Sequence, residues 1–438
     1  YSFEYGLYLG GGSASDTLAF RNNYVTNATT TQIATGVVTN VYTVWYGVAI
    51  DCDSSTIQMY RNGVALGSPT SFVHPGTDAV VAILKSDFAM SINFGQQPFS
   101  AAIPSGYKAL NTYNYPRPAA SSLWFYGDTP DMIWIKNRST SSNNVVTDTV
   151  RGVGLNTVIN SRSPDLSYPA VSEMNKFGMS LINDSISVVN GSTNSHVYWA
   201  WKAGGATTVT NNSGTVSSQV SANPSAGFSI VTYNYNSSGG TIGHGLGAAP
   251  SFIINHSRTT GYNTDVYHVS LGATQRLTLN TYSAAETFSG PWNNTSPTSS
   301  VFSTGASWWT GGDNMIAYCW VAIPGFSAFG QYTGTGSADG PFVYLGFKPK
   351  WVMVKETSGT NAGTAYWCVS DGIRDTYNVV QNDLFPNDPN AEVSGSRLID
   401  YLSNGFKIRT TNRYSNESGG NYIYAAFAEV PFKYARAR

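Results

Sequence analysis

The chain has 438 residues, with 24 basic and 25 acidic side chains giving a formal net charge of −1, and its length suits two to four domains. Only 11% of residues are charged, so uncharged polar groups must solvate the surface, while 41% hydrophobic and 13% aromatic residues supply enough apolar material to exclude a disordered chain. No run of Lys or Arg could neutralise a row of phosphates, and no stretch approaches the ~18 to 20 apolar residues that cross a bilayer; nucleic-acid binding and membrane insertion are excluded as expectations.

No charged segment leads into a short apolar one as in a signal peptide. Cys52, Cys319 and Cys368 are too few and too scattered for a disulfide framework or a metal site, and each sits among apolar neighbours as a core thiol does. Helical periodicity is missing over any dozen residues, whereas short alternating runs bounded by Gly, Asn and Ser recur throughout, so the predicted fold class is all-β.

In chain order, Tyr46-Gly-Val-Ala-Ile-Asp51 and Ser55-Thr-Ile-Gln-Met-Tyr-Arg-Asn-Gly63 predict two strands around a polar turn, with Asn62-Gly63 as a second hairpin signal. Met90-Ser-Ile-Asn-Phe-Gly-Gln-Gln-Pro-Phe99 then closes the unit. A strand ending in an acidic turn, a strand ending in Asn-Gly and a late Asn-Phe-Gly resemble the SPRY domain, which implies a β-sandwich over residues 1–112. The opening strands are short and residue 1 is Tyr, so the gene product is expected to continue upstream.

The remainder repeats itself. Pro130-Asp-Met-Ile-Trp-Ile-Lys136 is echoed by Pro250-Ser-Phe-Ile-Ile-Asn-His256 and Pro349-Lys-Trp-Val-Met-Val-Lys355, each a strand opened by proline, where a missing N–H costs least. A second apolar strand ends at Gly152, Gly272 and Gly372, which lie 22, 22 and 23 residues beyond those prolines. A final strand carries Trp201, Trp320 and Phe427, at 71, 70 and 78 residues. Three divergent β-sandwich repeats follow, over 113–205, 227–327 and 328–438, predicted to lie in a row like beads. The Ser/Thr/Asn/Gly stretch 206–226 reads as a flexible linker, and Ile323-Pro-Gly-Phe-Ser-Ala-Phe-Gly330 as a stiffer junction.

The SPRY-like start, these strands, Phe326-Ser-Ala-Phe-Gly-Gln-Tyr-Thr-Gly-Thr-Gly-Ser-Ala-Asp-Gly-Pro-Phe-Val-Tyr344 and the ending Ala428-Glu-Val-Pro-Phe-Lys-Tyr-Ala-Arg-Ala-Arg438 resemble the C-terminal region of marine bacteriophage tail-fibre proteins. The resemblance implies an extracellular virion appendage that attaches to the host, a homotrimer, and other virion tail proteins and a host-surface glycan or protein as partners. It transfers no catalytic residue, and no enzyme activity, cofactor or metal is expected. A purely structural component, such as a capsid decoration or fibre shaft, is the alternative; a glycan-degrading tailspike is a third.

A depolymerase needs two carboxylates about 5 to 9.5 Å apart, and Asp51 with Asp53 or Asp371 with Asp375 are the candidates, but both pairs sit in turns where Asp bonds its own backbone. His256 and His268 are twelve residues apart, yet Lys355 and Trp367 replace them in the last repeat, which argues against a shared metal site. Trp134, Trp201, Trp320 and Trp351 alternate inward as core. The last two strands of each repeat are expected to form a hairpin, with Val301-Phe-Ser against Met315-Ile-Ala-Tyr and Phe406-Lys-Ile-Arg against Tyr422-Ile-Tyr, whose tips vary. Those tips and the Gly-Pro-Trp-Asn loop nominate ligand-binding residues: Trp292, Trp308, Trp309 and Tyr414 as exposed aromatic surface, Arg413 and Asn416 as hydrogen-bonding groups.

Overall fold

The computed structural model of the protein describes residues 129–428 except 168–169, 176–177, 182–187 and 192, and upstream of these the strands lying between residues 4 and 123. Among the described residues the only helical pieces are Ala362–Thr364 and Arg413–Asn416, none of them long and apolar enough to cross a membrane, and strands make up the rest of the regular structure. The chain divides into two compact units, Tyr1–Arg117 and Pro118–Arg438.

In the first unit Tyr46–Asp51 pairs antiparallel with Thr56–Arg61, and Thr56–Arg61 pairs antiparallel with Val64–Ser71, Arg61 facing Val64, so the strands of both predicted hairpins pair; Asn62 and Gly63 lie outside the described residues. A second sheet orders Thr29–Thr35, Thr17–Asn23, Glu4–Gly10 and Ala82–Ser86, with the last strand parallel to its neighbour. The closing segment Met90–Phe99 and the turn carrying Cys52 and Asp53 lie outside the described residues.

The second unit holds the three repeats, and each begins as predicted. The opening strands are Met132–Asn137, Phe252–Ser257 and Trp351–Ser358; the second strands are Val145–Asp148, Asp265–His268 and Trp367–Asp371; the closing strands are His196–Trp201, Asn314–Trp320 and Asn421–Phe427. In every repeat the opening strand lies between the other two, and the register is the same: Met132 faces Trp201, Phe252 faces Trp320 and Trp351 faces Phe427. An outer sheet completes each sandwich, formed in the second repeat by Gly240–Gly243 with Val301–Thr304 and in the third by Phe342–Tyr344, Gly405–Ile408, Val393–Leu402 and Val380–Asp383.

The row of beads is not what forms. All six residues of each of the first two opening strands are buried, and all but Ser358 in the third, so both faces of the inner sheets are covered. Strand alternation divides the side chains between two cores. Ile133 and Ile135, Ile253, and Val352 and Val354 fill the separate interiors of their own sandwiches. Met132 and Trp134, Phe252 and Ile254, and Trp351 and Met353 instead meet in one core common to all three repeats. A sandwich standing alone would leave that second apolar face in water, at a cost of about 25 cal/mol per Å². At the centre, the Trp201 ring lies 6.0 Å from Trp320, 5.8 Å from Trp351 and 5.8 Å from Phe427. The void left among these rings is only about 10 Å³ and wholly apolar; Trp134, Trp320 and Trp351 are core as predicted, and Trp201 is half-buried and packs against that core.

Two further expectations are corrected. The stretch 206–226 is no linker: Val209–Asn211 and Ser218–Asn223 pair in sequence onto Phe228–Asn234 and extend the inner sheet of the second repeat to eight strands. Val220 is buried in that sandwich, and Ser221 Oγ donates to Gly205 O at 2.6 Å, so polar composition concealed a half-buried strand. Nor do the last two strands of a repeat form a hairpin. Val301–Thr304 pairs with Gly240–Gly243, and Gly405–Ile408 with Phe342–Tyr344 and Val393–Leu402, so the segments after them cross from outer to inner sheet. The 323–330 junction is a tight turn at Ile323 that leads directly into the strand Ser327–Thr333.

Candidate binding groove

The crossover 305–313 of the second repeat borders an open groove of about 590 Å³ lined by Thr215, Val216, Asn234, Tyr235, Asn236, Ser237, Gly311 and Gly312. Two turns and the crossover build it. Asn211 Oδ1 accepts the Ser213 N–H and starts the 211–217 turn, and Gly214 is required there because a Cβ would run into the Thr241 carbonyl. Asn236 Oδ1 accepts the Ser238 N–H, and Gly239, at φ +75°, completes that turn. The crossover is strapped to the second turn: Ser307 N donates to Ser237 O at 2.8 Å, Gly312 N to Tyr235 O at 2.9 Å, and Tyr235 N to Asp313 O at 2.8 Å.

Tyr235 anchors the floor. Its ring is buried, its hydroxyl donates to Gly305 O at 2.6 Å and accepts from Trp308 N at 2.9 Å, and Trp309 packs edge-on against it at 5.2 Å. The nearby Asp313 carboxylate is taken up by Thr259 Oγ1 at 3.0 Å and Thr260 Oγ1 at 2.6 Å on one oxygen and Ser257 Oγ at 3.3 Å on the other. The lining therefore offers exposed hydroxyl, amide and backbone groups from Thr215, Asn234, Asn236, Ser237 and Gly311–Gly312, with no charged side chain. Such a surface suits an uncharged ligand rich in hydroxyls.

The nominated ligand residues take other roles. Trp309 and Trp292 are 3% and 1% exposed and serve packing, Trp292 standing edge-on to Tyr267 at 5.7 Å; the aromatic surface expected of them is inside. Trp308 is half-buried, and its Nε1 donates to Asp265 Oδ2 at 2.8 Å while the Arg276 guanidinium lies against both its ring and that of Phe288, at 4.6 and 4.7 Å. Burial pushes the Asp265 carboxyl up to about 7, against the opposing effects of the Trp308 N–H and Arg276. In the third repeat, Asn416 is fully buried and saturated: Oδ1 accepts from Thr335 N, and Nδ2 donates to Ser337 O and Thr410 O. It clamps the loop and has nothing left for a ligand. Arg413 and Tyr414 are half-buried, the guanidinium over the tyrosine ring at 4.9 Å and bonded to Asn361 Oδ1 at 2.8 Å.

The remaining candidates are also engaged. Asp371 accepts from Ile373 N, from Arg374 N and Nε, and from Trp199 Nε1; Asp375 accepts from Gln381 N and from Asn382 N and Nδ2. Burial holds both His256 and His268 down at about 4, hence neutral, and each Nε2 donates to a carbonyl of another repeat, Ser163 O and Tyr424 O. Among the described residues no three of His, Cys, Asp and Glu are grouped to hold a metal. Cys319 and Cys368 are buried free thiols. The groove residues themselves went unnoticed in the sequence, where Tyr235-Asn-Ser-Ser-Gly-Gly signals only a turn.

Residues 104–431, about three quarters of the chain, match the family described as Domain of unknown function (DUF7483). The chain belongs to this family. The DUF7483 span takes in all three repeats, their common core and the groove, so the threefold unit and not a single sandwich is the body of the family domain. No curated protein and no solved structure matches the chain.

Proposed function

We propose that this chain is a non-enzymatic host-adhesion component of a bacteriophage virion, the distal part of an extracellular tail fibre, and that the groove of its second repeat takes an uncharged host-surface glycan. The carrying observation is the groove itself: about 590 Å³, within the range of ligand sites, lined by Asn, Ser, Thr and backbone groups and held by three crossover straps. A rigid scaffold that presents variable turns is the usual carrier of recognition. The sequence resemblance to phage tail-fibre C-termini supports the virion setting, a homotrimeric assembly and other tail proteins as partners. The burial of Trp292, Trp309 and Asn416 favours a second reading, a purely structural virion component.

Asn234→Ala and Ser237→Ala test the groove, since both side chains are exposed. Binding of the purified full chain to host cells and to an array of neutral and acidic oligosaccharides is expected to select neutral glycans. The double variant should bind about tenfold or more weakly, each lost hydrogen bond being worth about 1 kcal/mol, with the thermal midpoint unchanged. Undiminished binding by the double variant would move the site elsewhere, and no binding by the unaltered chain to any cell or glycan would favour the structural reading.

A further inference from the structure

The position seven residues beyond each repeat's opening proline is polar and buried: Asn137, Ser257 and Glu356. In the second repeat it fastens the crossover, because Ser257 Oγ donates to Asp313 at the end of 305–313. In the third repeat the crossover offers a carboxylate again, Glu417, but here the residue on the opening strand is a glutamate. Glu356 is 0% exposed, on the same strand face as Val352 and Val354, and neither of its oxygens receives a hydrogen bond from any donor. Its carboxyl lies beside that of Glu417: a Cβ on Gly359 would run into Glu356 Oε1 and stand 2.8 Å from Glu417 Oε2. Gly359 and Gly420 leave the space, since a Cβ on either would press on the Glu356 carboxyl.

Two carboxylates this close, one of them buried, disfavour ionising together, so a proton or a cation belongs with the pair. The surroundings favour the proton. Both oxygens of Glu417 already face hydrogens, from Asn361 Nδ2 at 2.6 Å and Asn361 N at 3.3 Å, and Arg413, held by Asn361 Oδ1, adds positive charge beside the pair. We propose that Glu356 and Glu417 share one proton and act as a pH-sensitive latch, fastening the 409–420 crossover to the opening strand of the third repeat. The titratable groups near the pair are Arg413 on the crossover, Tyr422 on the closing strand and Tyr332 on the strand Ser327–Thr333, with Lys355, on the other face of the opening strand, acting only through its charge.

Burial, then Glu417, raises the Glu356 carboxyl from its ordinary 4.5 to about 8, and the hydrogen bond from Glu356 holds Glu417 below the usual carboxylate range. A carboxyl that is raised in the closed state fastens the loop fully below its ordinary value and loses its hold as pH rises through about 8. The proposal stands apart from the glycan reading.

Hydrogen–deuterium exchange of peptides spanning 409–420 in the full chain, corrected for the intrinsic pH dependence of exchange, tests it in metal-free buffer. Protection should fall by roughly ten- to hundredfold between about pH 6 and about pH 9, while peptides of the second repeat's 305–313 crossover stay level. Glu356→Gln, whose amide donates at every pH, should hold protection level across the range. Should that variant fail to fold, Glu417→Gln serves instead: its amide can donate to an ionised Glu356, so its protection should lose the fall that the unaltered chain shows between about pH 6 and about pH 9. Protection that is flat in the unaltered chain, or a fall retained by the substituted chain, overturns the latch. Restoration of protection at about pH 9 by millimolar calcium chloride would also overturn it, by assigning the pair to a cation.

Discussion

Lys136, His256 and Lys355 occupy one position in the three repeats and do one job with different chemistry. Each is buried and each donates across a seam: Lys136 Nζ to Pro389 O at 3.1 Å, His256 Nε2 to Ser163 O at 3.2 Å, Lys355 Nζ to Tyr282 O at 2.9 Å. Repeat one thus reaches repeat three, two reaches one, and three reaches two. In the sequence, Lys355 in the place of His256 read only as an argument against a metal; what the three residues share is a donor at the end of a buried strand, which the residue types do not announce. Lys355 also serves Ala362 O at 3.3 Å and Ala365 O at 2.8 Å. Lys355→Met should keep the packing but strand three carbonyls, lowering stability by roughly 2 to 4 kcal/mol in urea denaturation. An unchanged midpoint would show that water replaces the ammonium. The same difficulty hid the fate of the loop tryptophans: residue type and a glycine-rich context cannot tell a ring that faces solvent from one that, like Trp309 on Tyr235, holds a turn in place.

At the level of elements, proline and spacing made the opening strands and their shared register legible, because a strand's first residue and its cross-strand partner are local matters. Which sheet a strand joins is not local. Val301–Thr304 and Asn314–Trp320 are neighbours in sequence and alternate like a hairpin, yet the first is outer and the second inner. The strands Val209–Asn211 and Ser218–Asn223 were concealed by a Ser/Thr/Asn composition that serves an edge strand as well as a loop. Their connecting turn positions Thr215 in the groove and lies against Gly240–Gly243, where Val216 N donates to Thr241 O at 3.0 Å. Gly214→Ala would force the turn off that strand and is expected to cost about 1 to 3 kcal/mol by chemical denaturation, more than a surface Gly→Ala exchange ordinarily does.

At the scale of the whole molecule, residues 118–438 fold as a threefold body whose symmetry runs within one chain. The seams repeat around it: Tyr318 OH donates to Asp148 Oδ2 at 2.8 Å, Trp199 Nε1 to Asp371 Oδ2 at 3.2 Å, and His268 Nε2 to Tyr424 O at 3.1 Å. Charge closes them further, with Arg151 and Arg258 on Asp165, and Arg138 and Arg374 on Glu392. The clue was present in the sequence: each opening strand begins with three or four apolar residues in succession, the mark of a sheet covered on both faces, whereas a lone sandwich alternates. A common core also explains how turns on a single repeat can be held rigidly enough to carry a groove. Trp201 tests this most directly, because it belongs to the first repeat and its ring meets Trp320 of the second and Trp351 of the third. Hydrogen exchange of the full chain carrying Trp201→Ala is the measurement. Protection of the opening strands Phe252–Ser257 and Trp351–Ser358 should fall together with that of Met132–Asn137. Loss of protection confined to Met132–Asn137, with the other two repeats untouched, would contradict a shared core.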